Sequence, residues 1–185
     1  FCRPIRQALK RLPRGVRVTS ARITLAMSQT NAGAESIALH RVVSQWTEGS
    51  SAAAGGSGAA AQPGDVTWVH ASFPASQWSA AGGEFAPTPS ASVVVGDPGL
   101  YTFGSTPELT SDVQAWLDEP SANHGWILVG NETSASTVKR FDAREYSDLA
   151  ARPVLVVEFG RPADSCSDAA LAGAALGLCR SYCEA

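Results

Sequence analysis

The chain has 185 residues, 44% of them hydrophobic and 17% charged, with a formal net charge of −3. That length accommodates one domain with a substantial core and is too short for two domains of ordinary size. Seven of the fourteen Lys and Arg residues fall within residues 1–22, so the remainder sets seven cations against seventeen acids; an acidic body excludes a nucleic-acid reader, and no stretch approaches the roughly 18 apolar residues of a membrane span.

Residues 1–14 (FCRPIRQALKRLPR) hold no acid and read as a solvated basic arm. They lack both an initiator Met and the apolar core of a signal peptide, so a targeting segment is expected to have been removed or to lie upstream. The first clear strand is ARITLAM (21–27), where Ala21, Ile23, Leu25 and Met27 alternate with Arg22, Thr24 and Ala26. A period of two with one apolar face predicts a half-buried strand. SIALHRVV (36–43) is its expected neighbour, reached through the turn-like TNAG at 30–33.

The Gly/Ala-rich segment 49–64 then carries no side chain larger than Gln. It lacks the area to offset the entropy of ordering and is expected to be a flexible surface loop inside the domain. Strands resume at DVTWVH (65–70) and SVVVG (92–96). In STPELTSDVQAWLDEP (105–120), Ser105 and Glu108 have capping-box spacing, and Leu109, Val113, Trp116 and Leu117 form one apolar stripe. That pattern predicts a short amphipathic helix over 107–118, closed by Pro120. GWILVG (125–130), TVKRF (137–141) and PVLVVEF (153–159) give three more strands, the last expected to be central because Val and Leu occupy both faces. About seven strands with one helix make an all-β, antiparallel sandwich. From 161 onward the composition shifts to small residues with Cys166, Cys179 and Cys183. With Cys2 at the other end, the cysteines read as flank disulfides or thiols of an exported protein.

Nucleophile, phosphate-loop and dinucleotide motifs are absent from the sequence. His40, His70 and His124 have no second ligand at i+2 or i+4 and read as structural. Asp112, Asp118, Glu119, Asp142 and Glu145 are candidate carboxylates for glycoside hydrolysis; Asp118 and Glu119 have a simpler role at a helix end, and Asp142 and Glu145 each have a cation within three residues. Five Trp beside six Phe and three Tyr is a skewed ratio, and indole faces suit sugar rings as well as cores. Trp116 belongs to the helix stripe; Trp68 and Trp78 flank or occupy polar loops.

Taken in order, ARITL, ALHRVVSQWTEG (38–49), VTW (66–68), VQAWLDEPSANHGWILVG (113–130), KRFDARE (139–145) and RPVLVVEF (152–159) resemble the DNRLRE domain, grouped with carbohydrate-binding module family 96, over roughly residues 15–160. The resemblance implies an extracellular jelly-roll β-sandwich attached to a larger bacterial polysaccharide-degrading or cell-surface protein, with alginate binding among some members. Such domains carry further strands before the ARITL-like one, which this chain lacks, and a shorter loop than 49–64. The sandwich is therefore expected to be without its N-terminal strands, and 161–185 to begin a further segment.

The resulting expectation is a non-catalytic, secreted or cell-surface module that binds an acidic, uronate-containing polysaccharide. The alternative is an adhesive or structural spacer without sugar binding, and an enzyme ranks third. Lys139, Arg140, Arg41, Trp78 and Trp68 are the ligand-contact candidates, with only one of the adjacent Lys139 and Arg140 able to join a given strand face. Phe141, Arg144 and Glu145 are expected to form a structural corner, Phe141 buried and the two charges satisfying each other. No cofactor is expected, and the sequence does not indicate a structural calcium ion.

Overall fold

The computed structural model describes residues 15–52 and 58–160. The basic arm 1–14, the middle of the Gly/Ala loop, the tail 161–185 and all four cysteines lie outside the described residues, and with them the expectations about disulfides and the tail.

The protein is all-β with antiparallel sheets and one α-helix among the described residues. Its longest strand, β1 (Arg17–Thr30), carries the alternation seen in the sequence, with Ala21, Ile23, Leu25 and Met27 all buried. Strand β2 (Glu35–Arg41) follows, then a short hairpin of β3 (His70–Ser72) and β4 (Ser76–Gln77). After β5 (Ala91–Val95) and β6 (Gly99–Gly104) comes the helix α1 (Pro107–Asp118), and β7 (Trp126–Val129), β8 (Lys139–Phe141) and β9 (Val154–Gly160) complete the fold.

Strand β1 is the spine of one sheet. Residues 22–27 pair with β6 along one edge; on the other edge β9 pairs with residues 17–24 and β8 with residues 27–30. The second sheet has the order β5-β2-β7. Ile23 and Leu25 from the first sheet meet Ile37, Leu39 and Val95 from the second in a single buried cluster, the interdigitated inner layer of a sandwich. Helix α1 adds Leu109, Val113 and Trp116 to the same cluster, and Trp116 packs on Trp126 with ring centroids 4.4 Å apart.

Several local expectations change. The helix is capped by Thr106 and not Ser105: the Leu109 N–H donates to Thr106 Oγ1 at 3.1 Å, while that hydroxyl donates to the Ser90 carbonyl. Ser105 instead accepts from the Ala21 N–H, tying the turn to β1. Gly104 at the β6–α1 junction has φ +94, and a Cβ there would lie 2.5 Å from Leu109 Cδ2 and 2.8 Å from the Ala21 carbonyl oxygen. The turn into the helix therefore needs glycine. Of DVTWVH only His70 is in a strand, and β6 was not foreseen. Strand β9 is not central: β1 is its one strand partner among the described residues, and Val154, Val156 and Phe159 are exposed.

The described ends of the Gly/Ala loop are exposed, as expected of a surface loop, but they are fastened at the base. Asp65, itself buried, accepts from the N–H groups of Ser50, Ser51 and Gln62. The Gln62 N–H, followed by the Ser51 hydroxyl, lowers its carboxyl to about 2 against the opposing effect of burial.

Candidate functional site

KRFDARE (139–145) supplies β8 (Lys139–Phe141) and the start of the loop that follows it. A bulge in β1 between Met27 and Gln29 interrupts the pairing with β8, and bulges re-aim side chains. Here Ser28 donates to Asp142 Oδ1 at 2.6 Å and accepts from Arg140 Nε and Nη2 at 3.2 and 3.1 Å. The Asp142 N–H donates to the Ala26 carbonyl at 2.9 Å, extending the ladder by one residue. Arg144 pairs with Glu145 through Nε and, at 2.8 Å through Nη1, with Glu48. The expected Arg144–Glu145 pair thus exists, with an added partner from the segment after β2. Phe141 is half-buried against the core, not fully buried.

Two clefts lie near these elements, with no lining residue in common. One opens between the sheets, about 480 Å³, with Ile23, Leu25 and Leu39 at its floor. Trp126, Ile127, Leu128, Phe141 and Pro153 form walls, and Trp68, Trp78, Gly82 and Arg144 also line it. The other is a shallower polar cleft of about 450 Å³ between α1 and the segment before β5. Arg41, Asp112, Glu108, Ser111, Thr88 and Ser90 line it, along with Pro87 and Pro107.

Asp112 organises the polar cleft. It sits on the buried face of α1, where Oδ2 accepts from Ser90 Oγ at 2.5 Å and Trp126 Nε1 at 2.8 Å. Its Oδ1 lies 3.3 Å from Arg41 Nε. Arg41 stands at the end of β2 with its side chain 37% exposed. Among the described residues, the Nε contact with Asp112 is the one ion pair its guanidinium makes, and Arg41 itself lines the cleft.

The five expected ligand contacts do not form one site. Lys139 is withdrawn from ligand contact: its ammonium donates to the carbonyls of Ala32 at 3.2 Å, Gly33 at 2.5 Å and Gly96 at 3.0 Å, clamping two loops. Arg140 is engaged by Ser28 and lines neither cleft. Trp78 is buried, with its indole N–H donating to the Thr67 carbonyl at 3.0 Å, so it is a wall and not an exposed platform. Trp68 is 61% exposed and shares the apolar cleft with Trp78. Arg41 alone of the five lines the polar cleft.

Of the five candidate carboxylates, no two line the same one of these clefts. Glu108, read from the sequence only as a capping-box residue, shares the polar cleft with Asp112; their i, i+4 spacing on one helix is the signal for that. The histidines make local contacts: His40 Nδ1 lies 2.8 Å from the Ala86 carbonyl oxygen, His70 Nδ1 lies 3.0 Å from Thr67 Oγ1, and the His124 carbonyl accepts from Trp46 Nε1. Among the described residues no three His, Cys, Asp or Glu side chains are grouped to hold a metal ion, and no helix is long and apolar enough to cross a membrane. Set against family models, curated proteins and solved structures, the chain matches none.

Proposed function

We propose that this protein is a non-catalytic polysaccharide-binding module of a secreted or cell-surface protein, and that an acidic sugar is held in the polar cleft through Arg41. The observation that carries the reading is the state of Arg41: the Asp112 carboxylate lies 3.3 Å from its Nε as an ion-pair partner, while the partly exposed side chain borders an open cleft. A guanidinium with a single ion-pair partner keeps N–H groups in a planar fork that matches a carboxylate such as that of a uronate. Thr88, Ser111 and Glu108 are exposed along the same cleft and offer partners for ring hydroxyls. The sequence resemblance to DNRLRE domains points the same way.

A spacer without sugar binding is the second reading. It is favoured by the intramolecular engagement of Lys139 and Arg144, which leaves fewer cations to meet an anionic chain.

Calorimetric titration of the full chain with an oligouronate and with a neutral oligosaccharide of equal length separates the two. The proposal expects binding of the oligouronate alone, weakening as salt rises. Arg41→Gln should weaken it at least about ten-fold, the worth of a lost charge-assisted hydrogen bond. Thr88→Trp, at an exposed position on the cleft wall, should block binding without lowering Tm. Equal affinity for both sugars would remove the acidic assignment, and absence of binding would leave the spacer.

A further inference from the structure

The cleft between the sheets asks for a different ligand. We propose that it binds an uncharged, hydrophobic small molecule with an aromatic or alicyclic ring, independently of the polysaccharide reading. Its volume of about 480 Å³ falls within the range of roughly 300–1,000 Å³ typical of small-molecule sites. The floor is formed by core residues that are only 2–4% exposed, Ile23, Leu25 and Leu39, so a ligand seated there would be withdrawn from water.

The polar groups around the cleft are already committed. Trp78 Nε1 donates to the Thr67 carbonyl and Trp126 Nε1 to Asp112. Asp142 accepts from Ser28, and Arg144 is flanked by Glu48 and Glu145. Sugar hydroxyls pushed into this space would lose water without regaining hydrogen bonds, and an anion would meet an arginine already faced by two carboxylates. Both considerations select a neutral apolar body.

Trp68 supplies the ring contact. Its side chain is at the mouth, 61% exposed, and is held in place from behind by Gly82. The Gly82 N–H donates to the Trp68 carbonyl at 2.7 Å, and a Cβ on Gly82, at φ +97, would come within 3.0 Å of the indole ring. Without a Cβ, glycine admits the indole this close to the backbone, and the exposed part of the ring offers surface for an offset or edge-on ring.

The test is a fluorescence titration of the full chain with Nile red, a neutral aromatic probe, repeated with Trp68→Ala and Leu128→Trp. Wild type should bind one equivalent. Trp68→Ala removes an exposed side chain and should keep its Tm while weakening binding about ten-fold, the scale of one aromatic pair. Leu128→Trp fills the cleft from its half-buried wall and should abolish binding. No saturable binding by wild type overturns the proposal, and this holds whether the space is filled by another part of the chain or by a second copy. Binding that is indifferent to Trp68→Ala also overturns it, since the probe would then sit elsewhere. A soluble oligouronate should not displace the probe, which keeps this result separate from the glycan titration.

Discussion

Removing the Asp112 carboxylate tests how helix α1 is locked to both sheets. The residue is 9% exposed and accepts hydrogen bonds from Ser90 Oγ and Trp126 Nε1, whose residues are 2% and 4% exposed. In Asp112→Ala both donors remain buried, each without this acceptor, at about 1–3 kcal/mol apiece. The Arg41 pair adds at most about 1 kcal/mol, because the arginine is 37% exposed and water replaces the partner. The expected loss is therefore about 2–7 kcal/mol, a large part of the roughly 5–15 kcal/mol of a typical domain. Urea unfolding followed by circular dichroism measures it from the shift in midpoint at constant slope. Ser90→Ala should be milder, and the double variant should show a coupling energy of about 1–2 kcal/mol with Asp112→Ala. A loss below about 1 kcal/mol, or zero coupling, would refute the view of Asp112 as a shared acceptor and make it an incidental carboxylate on a helix.

Two further outcomes follow from the same contacts. Asp65, lowered to about 2, should contribute stability that is fully present above its unfolded value of about 3.9 and is lost as pH falls from there through 2; the stability difference between wild type and Asp65→Asn should shrink across that window, and a flat difference would contradict the assigned hydrogen bonds. Arg144→Ala should cost only about 1 kcal/mol, since Arg144 is 36% exposed and Glu145 63% exposed; thermal unfolding checks it, and a loss above about 3 kcal/mol would show that the corner is more deeply sequestered than its exposure indicates.

The sequence was most informative where one face of a local element must be buried. In β1 the alternation of Ala21, Ile23, Leu25 and Met27 marked the inner face, and all four are buried. In α1 the stripe of Leu109, Val113 and Trp116 marked the face that joins the core. Strand β9 was misjudged because residues with apolar side chains on both faces suit a central strand, whereas the number of neighbours depends on what the rest of the chain pairs. The exposed Val154 and Val156 show the difference.

The candidate site was less legible. Lys139 and Arg41 are both basic residues in or beside strands, with nothing local to separate them. Lys139 is spent on the carbonyls of Ala32, Gly33 and Gly96, and Arg41 is oriented by a carboxylate 71 positions later in the chain. Asp65 gave no signal because its role appears only when the two ends of the Gly/Ala loop meet, and Glu48 because its partner Arg144 lies far along the chain. The sequence by itself thus determined that this chain makes an antiparallel β-sandwich with one amphipathic helix, since hydrophobic periodicity is a local property set by the pitch of each element. Only the tertiary structure decided which polar side chains are free to meet a ligand, because that depends on partners brought together by pairing between strands far apart in sequence.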